Sequence, residues 1–304
     1  MYLEHFRLKE FPFGITPDTE FFFASAASQG ALNTLLVAVR AGEGFIKITG
    51  EVGMGKTLLC RQLLRSLGDG YVTAYVPNPH LSPMGLLLEL AEELGVDVEQ
   101  LGLAARMQRA HLLLKLLKLR LLALALQGKR ILVCLDEVQA MPIKTLEALR
   151  LLTNLETEKR KLVQVVIFGQ PELDERLNHR SIRQLRQRIT FDHHLGPLSS
   201  AEMSRYLDHR LHTAGNSGPS LFSPAAKGLL RWRTGGTPRL VNIVAHKALM
   251  VAFGRGVSQV GWREVLAAVE DTATLRIGAP RVAFASLAAV GLLGLLIVEL
   301  ARKV

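Results

Sequence analysis

The sequence predicts an α/β protein in which a parallel β-sheet, covered by helices, is followed by an all-helical region. A glycine-rich loop, GEVGMGKT at Gly50–Thr57, comes directly after an apolar run and before a helical pattern. A second apolar run, Ile131–Leu135, is uninterrupted, as is typical of a strand buried on both faces of a parallel sheet. From Leu195 onward, helix-start signals replace the short apolar strands. Together these patterns predict strands that alternate with helices, and then helices alone.

Chain length and composition restrict the class of protein. The chain has 304 residues, enough for one large domain and a smaller one. With 49% hydrophobic and 21% charged residues, a largely disordered protein is excluded. The net charge of +10 indicates an anionic partner, and it leaves nucleotides, nucleic acids and anionic membrane surfaces open. Cys60 and Cys134 lie in a helical and a strand pattern, and we expect both to be buried and unbridged.

The loop at Gly50–Thr57 matches the phosphate-binding pattern of a glycine, four residues, and then Gly-Lys-Thr. Its glycines let backbone N–H groups point at phosphates, and a helix predicted at Leu58–Leu67 adds a favourable dipole. Lys56 is predicted to neutralise phosphate oxygens, and the Thr57 hydroxyl to bind Mg²⁺. The strand before the loop is predicted at Phe45–Thr49. The sequence therefore predicts a nucleotide site with these binding residues: Gly50, Glu51, Val52, Gly53, Met54, Gly55, Lys56, Thr57 and Leu58.

Two segments precede this strand. Met1–Glu20 is rich in aromatic residues and proline, which favours an extended arm. The arm can be interpreted as a hydrophobic brace, or as a segment beside the loop that helps to hold an adenine, and the two interpretations are compatible. Gln29–Ala41 then has leucines and a valine at helical spacing, which predicts a helix.

Three elements are predicted between the loop and the second apolar strand. Tyr71–Val76 is predicted as a strand and Met84–Leu94 as an amphipathic helix. Leu112–Leu126 is leucine-rich, but lysines and an arginine interrupt it. A crossover helix packed on the sheet therefore explains this segment better than a membrane span does.

An acidic pair, Asp136-Glu137, directly follows the apolar strand Ile131–Leu135. The carboxyl edge of a parallel sheet is where ligands bind. Asp136 is predicted to hold the Mg²⁺ shell, and Glu137 to orient and polarise the water that attacks the γ-phosphate. A charged strand end that caps a helix is the alternative. With the phosphate loop upstream, the pair favours hydrolysis over binding alone.

The next elements supply further candidate residues. A helix is predicted at Ile143–Leu155 and an apolar strand at Val163–Phe168. Gln170 follows that strand, where a neutral polar side chain could sense the γ-phosphate and position water. A plain turn residue is the alternative for Gln170.

An arginine-rich helix is predicted between Arg176 and Arg188, before a strand at Ile189–His194. Such a helix normally faces solvent or nucleic acid. A subunit that hydrolyses nucleotide at an interface, however, needs an arginine inserted into its neighbour's site. Arg186 and Arg188, at the junction of helix and strand, are the candidates for this role.

The all-helical region contains three helix starts. Ser199 and Glu202 have the spacing of a capping box, and Ser223 precedes a proline at the first helical position. Thr237 is predicted to cap a third helix that begins after two glycines. Arg239 is then in the first turn of that helix, where it could reach a phosphate from a mobile lid or could be an ordinary surface charge.

The C-terminal segment 282–298, VAFASLAAVGLLGLLIV, carries no charge, and Arg281 and Glu299 flank it. Its length of about 17 residues is at the short limit for a transmembrane helix. We expect a single span near the C-terminus, with an amphipathic or buried helix as the alternative. Basic residues before the span and the absence of an export signal predict that the preceding domain is cytoplasmic.

The motifs also resemble those of a known family, both in their residues and in their order along the chain. Six segments carry the resemblance: FRLKEFPFGITPDTEFFF, GEGFIKITGEVGMGKTLLCRQLL, ILVCLDEVQAMP, ALRLLTNLETEKRKLVQVVIFGQPELDERL, IRQLRQRITF and GGTPRLVNIVAHKAL. On these segments, residues 1–270 are similar to the ExeA/GspA group of AAA+ ATPases, and within that group to members serving MSHA-type IV pilus biogenesis.

This resemblance implies an ATP-binding P-loop αβα domain with a helical lid, in a homo-oligomer that places ATP between subunits. It matches Gln170 to the first sensor and Arg239 to the second, and places the arginine finger in the segment with Arg186 and Arg188. The predicted organisation is therefore an aromatic arm and helix at 1–44, an ATPase core at 45–196 and a lid at 197–272. The uncharged segment adds a predicted transmembrane helix at 282–298, which lies outside the resemblance.

The function implied is Mg-dependent ATP hydrolysis at the inner membrane, assisting pilus or type II-related secretion assembly proteins. Two alternatives stay open. A DNA-handling ATPase would fit the basic charge, although the predicted span disfavours nucleic acid as the partner. A scaffold that binds nucleotide with negligible turnover is disfavoured by the acidic pair.

Overall fold

The computed structural model describes residues 2–77, 80–97, 106–153 and 161–276. Five strands form one parallel sheet in the order β2-β3-β4-β1-β5. The strands are β1 Phe45–Gly50, β2 Tyr71–Val76, β3 Arg130–Leu135, β4 Val163–Gly169 and β5 Phe191–Leu195. This is the parallel sheet that the apolar runs predict, and the strand bounds differ by at most two residues from the predicted ones.

Helices cover both faces of the sheet and form the C-terminal lid. In chain order they are α1 Tyr2–His5, α2 Ala26–Ala41, α3 Lys56–Ser66, α4 Pro83–Glu93, α5 Arg106–Leu126, α6 Ile143–Thr153, α7 Glu172–Leu177, α8 Arg183–Arg186, α9 Ser200–Thr213, α10 Pro224–Thr234, α11 Pro238–Gly254, α12 Trp262–Glu270 and α13 Ala273–Arg276.

The sheet is the middle layer of three. Alternate side chains of β4 face opposite ways, so Val165 belongs to a core shared with α4, α5 and α6. Val166 belongs to the other core, which includes Leu35 of α2 and Leu63 of α3. Burial on both faces explains why the central strands lack polar alternation. The αβα arrangement is therefore confirmed.

The predicted arginine-rich helix is wrong as a single element. The segment forms α7, a 3₁₀ turn at Arg180–Ile182, and α8. Leu177, Ile182 and Leu185 are all buried in one core. Five residues turn about 140° around an α-helix, so one straight helix could not point both Leu177 and Ile182 inward. The break between α7 and α8 allows both side chains to reach the core.

The arm packs with the lid. Buried Phe6, Phe13 and Phe21 share a hydrophobic core with lid residues such as Leu207 and Val244. The prediction of an extended arm is partly wrong, because the chain opens with the short helix α1 and includes a 3₁₀ turn at Thr19–Phe21. The arm therefore braces the lid.

The three predicted helix starts of the lid are found. Ser199 and Glu202 form a reciprocal capping box at α9, and Ser223 caps α10 through its side chain. Thr237 occupies the N-cap position of α11, but its side chain makes no capping hydrogen bond. Pro238 follows at the first position of α11, where its missing N–H costs no helical bond.

Arg210 on α9 ties the arm to the lid. Its side chain is buried, its Nε donates to the Pro12 carbonyl, and its Nη2 donates to the Gly14 carbonyl at 3.3 Å. Its Nη1 donates to the Tyr206 hydroxyl at 3.1 Å, and its Cζ lies 4.7 Å from the Phe21 ring centroid. No carboxylate of the described residues pairs with it. Carbonyls and ring faces therefore satisfy this buried cation.

Arg210→Leu should weaken the attachment of the arm to the lid. We expect its free energy of unfolding to fall by about 2–4 kcal/mol, because the carbonyl of buried Pro12 loses its donor and the contact with the Phe21 ring is lost. Urea denaturation measures this change. Arg205→Leu, an exposed arginine on the same helix, is the matched control and should change stability by less than about 0.5 kcal/mol. Equal stabilities of the two variants would contradict this role for Arg210.

Two further predictions concern cysteines and membrane spans. Cys60 and Cys134 are both buried and unbridged, as expected. Among the described residues, no helix combines the length and apolar character needed to cross a bilayer. The predicted span at 282–298 lies outside the described residues.

Candidate active site

The phosphate loop connects the end of β1 to the start of α3. Gly53 has φ +82° and Gly55 has φ +89°, both in the left-handed region that favours glycine. A Cβ on Gly53 would lie 2.6 Å from the Cβ of Arg239, so this position also needs glycine for close approach. The backbone N–H of Arg239 donates to the Gly53 carbonyl at 3.2 Å. The lid therefore contacts the loop directly.

Lys56 is buried at the base of the loop, with 4% of its surface exposed. Its Nζ donates to the carbonyls of Gly50 at 2.8 Å and Glu51 at 3.1 Å. Burial lowers the pKa of Lys56, although the charges of Glu137 and Asp136 act in the opposite direction. Among the described residues no carboxylate forms an ion pair with this ammonium. A buried cation without a direct counterion suits an anionic ligand such as a phosphate.

Thr57 and Asp136 face each other beside the loop. The Thr57 hydroxyl donates to Asp136 Oδ2 at 2.5 Å, and the Tyr75 hydroxyl lies 3.5 Å from the same oxygen. Burial raises the pKa of Asp136, while the hydrogen bond from Thr57 lowers it. A hydroxyl and a carboxylate are the hard oxygen ligands that Mg²⁺ prefers, so this pair fits the ion.

No cluster of three or more His, Cys, Asp or Glu that could hold a metal exists in the part of the chain that the structure describes. Thr57 and Asp136 alone would leave most of an octahedral shell open. A Mg²⁺ ion here would therefore need oxygens from a phosphate ligand and from water.

Glu137 has an unusual backbone and a well-defined side chain. Its φ of 52° and ψ of 35° are left-handed, which is uncommon for a residue other than glycine and is typical of functional sites. Its Oε2 accepts from Gln139 Nε2 at 2.6 Å and from Gln170 Nε2 at 3.1 Å. Burial would raise the pKa of Glu137, but these hydrogen bonds lower it overall. Glu137 is therefore held as a carboxylate.

A cleft of 180 Å³ opens between the loop, the arm and the lid. Arm segment 14–18 forms one wall, Glu137 lies in the cleft, and Arg239 lines it from the lid. The loop residues in its wall are Val52, Gly53, Gly55, Lys56, Thr57 and Leu58. Of the other predicted loop residues, Gly50 and Glu51 hold Lys56 through their carbonyls, and Met54 packs against the core beneath.

Two predicted arginines lie outside the cleft, and several residues at the site were not predicted. Arg186 and Arg188 do not line the cleft, and Arg186 instead donates to the Asn178 side chain. Their role in a neighbouring subunit stays a prediction. Tyr206, Arg210 and Asn242 line the cleft from the lid, and Gln139 holds Glu137, although the sequence analysis assigned none of them. The position of Gln139, two residues after the acidic pair, could have indicated that its side chain lies near the site.

A family model and a relative with a known name both match this chain. Residues 39–177 match the family model described as AAA domain. The chain is 39% identical over 277 residues to General secretion pathway protein A of Aeromonas hydrophila, which covers 91% of this chain and 49% of that protein. The chain carries an AAA domain of the ExeA/GspA type. It spans about half the length of this curated relative.

Solved structures show the same fold for the AAA domain and lid. Cdc6p from Pyrobaculum aerophilum is similar with a TM-score of 0.64 and 17% identity, over 86% of this chain and 74% of that chain. The ORC2 protein of Aeropyrum pernix, in its ADPNP-ADP complexes, is similar with a TM-score of 0.61 and 18% identity. That likeness covers 84% of this chain and 72% of that chain. At these identities the likeness concerns the fold alone.

Proposed function

We propose that this AAA protein binds ATP in the cleft and hydrolyses it with a water activated by Glu137. The observation that carries the proposal is the convergence of Lys56, Thr57, Asp136 and Glu137 at the carboxyl edge of β1 and β3. Three segments far apart in the sequence, including Gln170 after β4, supply this one site. Such an edge is where parallel sheets bind their ligands.

Each residue has a distinct role in the proposed reaction. Lys56 and Arg239 offset the charge of the phosphates, and Gln170 positions water and the carboxylate of Glu137. Thr57 and Asp136 would hold Mg²⁺, which when bound neutralises charge on the phosphate oxygens. Glu137 accepts the proton of the attacking water, because this residue lines the cleft and two amide donors keep its carboxylate ionised.

We also propose a homo-oligomer in which Arg186 or Arg188 completes the neighbour's site. Support comes from their position outside this chain's own cleft. The relative is named for general secretion, which favours a role at the cytoplasmic face of the inner membrane, with the apolar segment 282–298 as the anchor. Assembly of a type IV pilus or a type II-related secretion machine is the proposed process.

A DNA-handling ATPase is the second candidate. The net charge of +10 favours it, because a basic protein attracts the phosphate backbone of DNA. The fold alone cannot choose between the two candidates, since one AAA fold serves many functions.

The test is the Mg-ATP hydrolysis rate of the full chain, measured against protein concentration and against added duplex DNA at low and moderate salt. We expect the hydrolysis rate per subunit to rise with protein concentration and to be unchanged by added DNA. A saturable stimulation by DNA that weakens with salt would favour the DNA-handling candidate. No hydrolysis under any of these conditions would contradict the ATPase proposal.

A further inference from the structure

Gln139 bridges two residues of the proposed site. Its amide Nε2 donates to Glu137 Oε2 at 2.6 Å, and its Oε1 accepts from the backbone N–H of Gln170 at 3.0 Å. Since a backbone N–H can only donate, the amide oxygen of Gln139 must face Gln170 and the amide nitrogen must face Glu137. One side chain thus fixes its own orientation and that of the carboxylate.

The position of Gln139 is itself held from two sides. Arg176 on α7 donates to the Gln139 carbonyl at 2.7 Å and to the Met141 carbonyl at 2.8 Å. The end of β4 comes close, since a Cβ on Gly169 would lie 3.3 Å from Gln139 Oε1. The short turn after the acidic pair is therefore clamped to α7 and β4, and the Gln139 amide has little freedom to move.

The hydrogen bonds to the Glu137 side chain are not shared equally between its two carboxylate oxygens. Both amide donors, from Gln139 and Gln170, bind the same oxygen, Oε2. Among the described residues none donates to Oε1, and Glu137 lines the cleft. The two amides therefore fix the carboxylate through one oxygen and leave the other available for a water in the cleft. Gln139 itself does not line the cleft.

We infer that Gln139 is a positioning residue that aims Glu137 at the attacking water and couples it to Gln170. This inference rests on the proposed ATP hydrolysis. Gln139 acts through Glu137 and does not touch the nucleotide. Because Gln139 joins Glu137 to Gln170, a displacement of Gln170 by bound nucleotide is passed on to the carboxylate. Removal of the amide should slow the chemical step and leave nucleotide binding intact.

Two substitutions test the inference in the full chain. Gln139→Ala removes the amide, and the nearly isosteric Gln139→Glu replaces its donor by an acceptor that cannot bind Glu137. We expect kcat to fall by about 10- to 100-fold in both, with KM and the Kd for ATP unchanged within about twofold. Gln29→Ala is the matched control, because it removes an exposed amide that donates to Asn33 on α2. Its kcat should equal that of the wild type.

A double variant distinguishes the positioning of Glu137 from a general structural effect of the Gln139 substitution. When Glu137 is already replaced by Gln, Gln139→Ala should not reduce the residual rate further, because the group that it positions is gone. Additive losses in the double variant, or a wild-type kcat in both single variants, would overturn the inference. If the wild type itself does not hydrolyse ATP, the proposed function fails instead, so the two failures are distinguishable.

Discussion

Lys56→Ala is expected to weaken ATP binding by on the order of 100-fold, since a charge-assisted contact to phosphate contributes about 1.5–3 kcal/mol. Lys56 has no ionic partner among the described residues, and its ammonium is buried at the loop. Its removal should leave the stability of the nucleotide-free protein nearly unchanged, because relief of an unfavourable buried charge offsets the hydrogen bonds that the Gly50 and Glu51 carbonyls lose. Titration calorimetry with ATP and urea denaturation together measure both effects.

Lys227→Ala is the matched control for this prediction. Lys227 forms an ion pair with Asp208 at 2.7 Å in the lid and does not line the cleft. Its substitution removes the same charge from the protein, so any general effect of net charge on ATP binding would appear in both variants. An affinity of Lys56→Ala equal to that of the wild type would remove the assignment of the phosphate site.

Glu137→Gln is expected to reduce kcat for ATP hydrolysis by about 10²–10⁴-fold while ATP binding is retained, because the amide cannot accept the proton of the attacking water. The new side chain has almost the same shape, and its oxygen can still accept hydrogen bonds from Gln139 and Gln170. The fold and the cleft should therefore be unchanged. Single-turnover kinetics and ATP titration measure the two effects separately.

Glu175→Gln provides the control, since it neutralises an exposed carboxylate on α7 outside the cleft. Hydrolysis by Glu137→Gln at the rate of the wild type would exclude Glu137 as the base. In cells, a Glu137→Gln variant that supports pilus or secretion assembly as well as the wild type would favour a scaffold whose turnover is not needed.

The sequence was sufficient for those parts of the site that depend on local pattern. The loop at Gly50–Thr57 has a backbone that its glycines dictate, and the acidic pair follows a strand whose apolar run requires burial on both faces. Parallel strands bring their carboxyl ends to one edge, so Lys56, Asp136 and Gln170 could be predicted at one site before their distances were known. These inferences need only periodicity, glycine and strand direction.

Contacts between distant segments could not be read in this way. Gln139 holds Glu137 because the end of β4 and Arg176 of α7 close around its turn. Arg210 is buried without a carboxylate partner because the arm folds back over α9 and supplies carbonyls and a phenylalanine ring. In each case these partners lie at least 30 residues away along the chain, so the local pattern does not predict the contact.

The break between α7 and α8 likewise depends on packing and not on the local sequence pattern. The arginine spacing alone favours one helix, yet Leu177 and Ile182 must both reach the core beside the sheet, which one straight helix does not allow. Local patterns were enough to predict the strands, the phosphate loop and the chemistry of its side chains, because these features depend on backbone preferences within short segments. The groups that hold Glu137 and Arg210 became known only from the packed fold, because burial and hydrogen-bond partners depend on how distant segments pack together.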